Sequence, residues 1–266
     1  MSVGAFDGIL DRRRSQRRRQ ASLLALVAAI CATALAVTGF FDAERFADGL
    51  PALGQLFGEM MPPNFGRWAA WVRPLADTLA MSIAGTALAV VLSLPLALLA
   101  ARNTTPGAAV YHAARTLLSM LRSVPELIMG ILFVAAVGFG ALPGVLALAL
   151  HSVGMVAKFY AEAVEHADEK PVEAARAAGA SKAQAILHAV LPQVVPQLAD
   201  VTIYRWEYHF RASTVLGIVG AGGIGFELIA ALRLLRYDEV SAILLTILVC
   251  VLAVDATGAW LRRQLK

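Results

Sequence analysis

Four ionisable side chains, Arg205, Glu207, His209 and Arg211, stand in the run Tyr204-Arg205-Trp206-Glu207-Tyr208-His209-Phe210-Arg211, near the middle of a long segment, residues 194–217, that must cross a membrane. Charges at that depth are costly to keep, so they are functional candidates by default. Helical spacing puts Arg205 and His209 on one face and Glu207 and Arg211, four residues apart, on another. The chemistry on offer is anion handling: Glu207 and Arg211 as a structural ion pair, Arg205 and His209 helping an anion along a path. Arg211 counts among the pathway candidates as well. The competing reading makes all four scaffold, bonded to one another or to a neighbouring loop, or starts the helix later. Glu126, His151, Lys158 and Asp255 read as helix-end or packing groups.

A second cluster, Gly220-Ala221-Gly222-Gly223-Ile224-Gly225, contains the string GxGxxG. Its context denies a dinucleotide site, because the element before it is a membrane span and no βαβ unit is available. The glycines instead suit a tight turn or broken helix beside a translocation path, with Gly222 and Gly223 as candidate path residues; plain loop flexibility is the alternative. The chain holds no GxxxxGK[ST], HExxH or GxSxG string, so it is expected to hydrolyse nothing and to carry no metal or cofactor of its own. Cys31 and Cys250 lie in apolar runs and read as small hydrophobes.

The elements that must position these groups follow from composition. Of 266 residues 59% are hydrophobic and only 16% charged, with mean hydropathy +0.68. That is far more apolar surface than a soluble core of this size can bury, so the chain is read as an all-α integral membrane protein. The net charge of +4 is modest and concentrated at the N-terminus, which topology explains better than nucleic-acid binding.

Arg12, Arg13, Arg14, Arg17, Arg18 and Arg19 form a basic N-terminus, residues 1–20, ahead of an apolar helix at 21–41, about the ~20 residues a span needs. The positive-inside rule keeps that terminus in the cytoplasm. A signal peptide cleaved near Ala34-Leu35-Ala36 is the rival reading, but the apolar run exceeds the ~7–15 residues usual for one. Residues 42–74 read as an external loop, in which Trp68 and Trp71 suit the headgroup interface or pack on neighbouring helices. Residues 75–266 then make five further spans. Pro125-Glu126 kinks or ends a helix there, and Arg262, Arg263 and Lys266 mark a cytoplasmic C-terminus. The count is about six spans, with both termini inside.

Between two of these spans lies a polar island, EAARAAGASKAQAILHAVLP, residues 173–192, within a cytoplasmic connection at 161–193. Its chemistry predicts a short alanine-rich helix over 171–178, a break at Gly179 and a second short helix that Pro192 helps to bound. This elbow resembles the coupling loop of ABC-importer permeases, patterned EAA, three residues, G, nine residues, I, one residue, LP. Glu173, Ala174, Ala175, Gly179, Leu191 and Pro192 fall in register, while Ala189 takes the Ile position. The resemblance implies that these residues dock into a groove on a separate ATPase.

Further blocks, LALLAARNTTP, RSVPELIMGILFVAAVGFG, GVLALALHSVGMVAKFYAEAVE, LPQVVPQ and RASTVLGIVGAGGIG, look in that order like those of phosphonate-type ABC-importer permeases, from about residue 75 to the end. The resemblance implies a type I permease core with one extra N-terminal helix, in the inner membrane. It further implies a second permease copy, forming a homodimer, two cytoplasmic ATPases that use ATP and Mg, and an external solute-binding protein delivering a phosphonate or related phosphorus oxyanion. Phosphate, phosphite or another small solute is the alternative cargo.

Overall fold

The computed structural model describes residues 3–265. The side chains of Arg12 and Arg14, and Lys266, expected at cytoplasmic ends, lie outside the described residues. The chain divides into two units, residues 1–58 and 59–266.

In the first unit, α1 (Val3–Val37) is one helix that runs through the basic stretch, and its segment Gln16–Val37 is apolar enough to cross a membrane. It stops four residues short of the expected end, where Gly39 takes φ +75°. A helix, α2 (Ala43–Glu59), then occupies ground that composition alone marked as loop. Asp42 starts it, its carboxylate accepting from the Arg45 N–H at 3.3 Å and pairing with the Arg45 side chain at 3.0 Å. Such a cap satisfies one of the donors that every helix start leaves open.

In the second unit, α3 (Trp68–Ala100) begins ahead of the expected boundary at 75 and carries Pro74 and Pro95 without breaking. Membrane helices tolerate proline where neighbouring groups take up the freed carbonyl; just beyond Pro74, Thr78 Oγ1 makes an ordinary back-bond to the Pro74 carbonyl at 2.9 Å. Next come α4 (Ala108–Ser123) and α5 (Glu126–Val137), bent by 83° at Val124-Pro125. The proline cannot donate to the turn before it and holds Val124 in extended backbone, so α4 ends there. The helix α6 (Ala141–Glu165) returns the chain to the elbow, α7 (Glu169–Ala177) and α8 (Lys182–Ala185).

After α8 the backbone does not stop at Pro192. A π-helical turn, Ile186–Val190, merges into α9 (Leu191–Leu216), with Pro192 at its second position. A proline in the first turn of a helix removes a donor that would have no partner anyway, so Pro192 opens a helix where it was expected to bound one. A second π turn, Gly217–Ala221, leads to α10 (Ile224–Arg233) and then α11 (Tyr237–Gln264). Among the described residues five helices are long and apolar enough to cross a membrane, and six spans result when α4 and α5 count as one.

The bundle is built on α3 against α6, its most extensive contact. Without a hydrophobic force between helices inside lipid, close approach and van der Waals packing must hold such pairs. Small residues permit it: Ala89, Ser93 and Ala97 on α3 and Ala147, Ala149 and Ala157 on α6 are all buried, Ala97 and Ala157 share one core cluster, and Ser93 Oγ donates to the Val153 carbonyl at 3.4 Å. At Gly85 even a single added methyl would lie 3.0 Å from Leu148 Cβ. Three buried layers result: one near the elbow around Leu118, Tyr160 and Val194, a central one around Met81, Leu148 and Leu216, and one around Trp71, Ile224 and Ile243. Trp71 is therefore a packing residue, whereas Trp68 is exposed.

The glycine cluster forms a broken helix. Gly220, Gly222 and Gly223 have φ of +100°, +76° and +70°, a backbone region that side chains disfavour. Gly225 has a different reason: an added Cβ would run into the carbonyl of Thr214. Backbone cannot swing aside as a side chain can, so Gly225→Ala is expected to destabilise the fold by about 1–3 kcal/mol, the usual range for overpacking. Thermal unfolding of the detergent-purified protein checks this; an unchanged midpoint would show that the break can widen freely.

Candidate functional site

The central cluster forms where α3, α5, α6 and α9 meet. Arg205, at mid-length in α9, is 3% exposed. Its Nε donates to Ser152 Oγ on α6 at 2.8 Å and its Nη1 reaches Met155 Sδ at 3.3 Å. The guanidinium lies 4.2 Å from the centre of the Tyr208 ring, a cation–π geometry. Nη2 is buried with no partner, and among the described residues no carboxylate pairs with Arg205.

His209 is fully buried one turn further on, with Nε2 at 2.5 Å from Ser152 Oγ and Nδ1 at 2.7 Å from Thr86 Oγ1. The direction of the protons follows from Arg205, which has donors only. Arg205 donates to Ser152; Ser152 donates to His209 Nε2; His209 Nδ1–H donates to Thr86, whose hydroxyl donates to the Ser82 carbonyl at 2.6 Å. One proton on His209 thus satisfies the whole chain of bonds.

Tyr208 connects this core to α5. Its hydroxyl donates to Glu126 Oε1 at 2.9 Å, while Glu126 Oε2 is buried without a partner. Within one group of residues the chain therefore holds a spare guanidinium donor and a spare carboxylate acceptor. Ser152, Tyr208, Thr86 and Met155 carried no signal in the sequence, since a serine or threonine in an apolar run is common. Glu126 does begin a helix, as read, and also belongs to this cluster.

Glu207 and Arg211 do not pair with each other. Glu207 Oε1 lies 2.8 Å from Arg262 Nη1, and Arg211 Nη1 donates to Asp255 Oδ1 at 2.9 Å, both across to α11. Gly258 makes the first contact possible, because a methyl there would strike the Glu207 carboxylate. Cross-helix partners at close range, one of them the buried Glu207, outcompete an i,i+4 neighbour, worth only about 0.2–0.5 kcal/mol. The second half of α9 is thereby tied to the C-terminal half of α11. Removing one member of a buried pair leaves an uncompensated charge, so Arg262→Leu is expected to cost about 3–5 kcal/mol. Adding Glu207→Gln should recover most of it; additive losses in chemical unfolding would mean that the two are not coupled.

The elbow is built to be stiff. Asp168 caps α7, its side chain accepting from the Lys170 N–H at 3.1 Å. Gly179 turns the chain at φ +87°, and Ser181 and Gln184 form a reciprocal capping box at the start of α8. Gln193 clamps the base, accepting from the Asp168 N–H at 2.9 Å and donating to the Asp168 carbonyl at 3.2 Å. Lys182 Nζ donates to the Thr105 carbonyl at 2.8 Å, fastening α8 to the turn after α3. Arg102, in that same turn, is held above its ordinary pKa by its bond to the Tyr111 hydroxyl and by nearby Glu165.

Glu173, Ala174, Gly179 and Pro192 are exposed, Ala175 and Leu191 partly so, and Ala189 is buried. The position usually held by isoleucine thus packs inward here. An EAA helix, a left-handed glycine and Leu-Pro at the foot of the next long helix make one rigid projection.

Residues 93–266 match the family described as the binding-protein-dependent transport system inner membrane component. The chain belongs to this family. It is an inner-membrane, multi-pass permease subunit of an ATP-binding-cassette importer. The permease is 64% identical to the phosphite transport system permease protein PtxC of Stutzerimonas stutzeri, over 93% of this chain and 90% of that one. It is 44% identical to the phosphate-import permease protein PhnE of Mycolicibacterium smegmatis, over 85% of this chain but 42% of that longer protein. Its fold is similar to the MetNI methionine ABC transporter in inward-facing conformations, with TM-score 0.66 and 22% identity over 74% of the permease and 96% of that chain.

Proposed function

We propose that this permease moves a phosphorus oxyanion, phosphite foremost, from an external binding protein to the cytoplasm, with ATP and Mg used by two separate ATPase subunits docked on the elbows. The observation that carries this reading is Arg205: a buried guanidinium with a free Nη2 and no carboxylate partner is a cation kept ready for a transient anion. The 64% likeness to a phosphite permease over nearly the whole chain supports the choice of cargo. Phosphate is the second reading, favoured by the mycobacterial relative.

The transporting unit is taken to be two copies of this chain with their pathways facing each other. Both termini lie in the cytoplasm, as the arginines at 13, 17, 18 and 19 and at 262 and 263 favour. Nucleotide-driven closure of the ATPases moves the elbows as rigid levers and switches the path between inward-facing and outward-facing states. Gly222 and Gly223, in the break between α9 and α10, stand where such a switch can bend.

The test is receptor-dependent ATP hydrolysis by the reconstituted complex. Binding protein presented with phosphite is expected to stimulate the rate at least about fivefold over unloaded binding protein, the low end of coupling between sites. Equal rates with and without phosphite, alongside stimulation by phosphate alone, would reverse the order of the two readings.

A further inference from the structure

Helix α2 carries a pattern that neither the transport path nor the elbow uses. Phe46, Leu50, Leu53 and Phe57 recur at helical spacing and fall within an arc of about 60° when each residue advances 100°. All four are exposed, at 49%, 66%, 51% and 65%. Glu44, Asp48, Gln55 and Glu59 occupy the opposite arc. No residue of α2 is buried. Four large apolar groups aligned on one side of an exposed helix require a covering phase.

Connectivity says which one. The apolar segment Gln16–Val37 of α1 is about 33 Å long at 1.5 Å per residue, enough to cross about 30 Å of hydrocarbon and end at its outer boundary. Only residues 38–42 separate it from α2. The other end of α2 is tethered just as shortly. Met60, one residue beyond the helix, accepts at its carbonyl from Ser241 Oγ at 2.6 Å, and Asn64 N–H donates to the Asp238 carbonyl at 2.9 Å. Ser241 and Asp238 lie in the first turns of α11, itself a membrane span. Both ends of a helix about 25 Å long are thus joined within a few residues to a membrane-spanning helix.

We infer that α2 is an interfacial helix lying in the outer leaflet, its Phe46-Leu50-Leu53-Phe57 face sunk to the boundary between headgroups and acyl chains and its acidic face toward water. The partner is the lipid surface. The aromatic cluster of Phe40, Phe41 and Phe46, with ring centroids 5.5 and 5.9 Å apart, sits at the joint with α1, where aromatic rings favour the headgroup level. The inference rests on the membrane topology and stands whichever oxyanion is carried.

The experiment uses the full-length permease with Cys31→Ser and Cys250→Ala, assembled with its ATPases in vesicles of phosphatidylethanolamine and phosphatidylglycerol. Nitroxide labels go on Leu50→Cys and Leu53→Cys for one face, and on Asp48→Cys and Gln55→Cys for the other. Phe46→Cys and Phe57→Cys serve as a second apolar pair if either of the first fails to assemble. Oxygen concentrates in hydrocarbon and a nickel chelate stays in water. The ratio of oxygen to chelate collisions is expected to be at least about threefold higher on the apolar face, as burial of one side of an amphipathic helix requires. Equal chelate collisions on both faces would place α2 in water. Low collisions with both reagents at 50 and 53 would mean that protein covers the face. Either result overturns the inference, and cysteine cross-linking to a second copy or to the binding protein would then identify the cover.

Discussion

Arg205→Met is expected to cut ATP-driven uptake by about 100-fold while leaving the assembled complex in the membrane. The size follows from the chemistry of the site: a hydrogen bond to a charged group contributes about 1.5–3 kcal/mol, and 1.4 kcal/mol is a factor of ten. Methionine fills similar space beside Met155 but offers the anion nothing. Arg205→Lys keeps the charge and loses the fork that reaches Ser152, so it should retain only part of the activity, about a tenth. Were Arg205 only scaffold, both variants would lower the yield of folded permease and leave uptake per assembled complex unchanged. Measuring uptake against the amount of complex separates the two.

The second large effect concerns the elbow. Gly179 holds φ at +87°, a value proline cannot adopt because its ring fixes φ near −65°. Gly179→Pro should therefore disconnect α7 from α8 without touching any span. Glu173→Lys reverses the charge of an exposed residue that we propose docks on the ATPase. Each is expected to leave insertion and basal ATP hydrolysis intact and to reduce uptake at least about tenfold, because a lever that is loose or undocked cannot transmit closure. Normal uptake by a correctly inserted variant of either kind would remove the coupling role from this loop.

What the sequence revealed, and what it hid, divides along the range of the interactions. The first half of the elbow was legible because its determinants are local: an alanine-rich run that favours helix and a glycine that turns the chain act within a few positions, whereas the caps at Asp168 and Ser181 went unread. The end of α4 at Pro125 was legible for the same reason. Pro192 misled because the same residue type can open a helix as well as end one, and the π turn at 186–190 that precedes it leaves no compositional trace.

Long-range partners were not legible. Glu207 finds Arg262 and Arg211 finds Asp255, partners 55 and 44 residues away, and no periodicity in α9 points to them. The grouping of Ser152, Tyr208 and Glu126 around Arg205 depends likewise on how α5, α6 and α9 pack. Helix α2 escaped notice because mixed charge, proline and glycine suggested a loop, while its apolar residues kept a helical period beneath that composition.

The most direct test of the whole account is uptake of labelled phosphite into vesicles that hold two copies of this chain, two ATPases and the cognate binding protein, with ATP supplied on the cytoplasmic side. The account predicts accumulation that requires ATP and binding protein together, is suppressed by excess unlabelled phosphite, and is lost in Arg205→Met. Vesicles that hydrolyse ATP yet accumulate neither phosphite, phosphate nor an alkylphosphonate would contradict it.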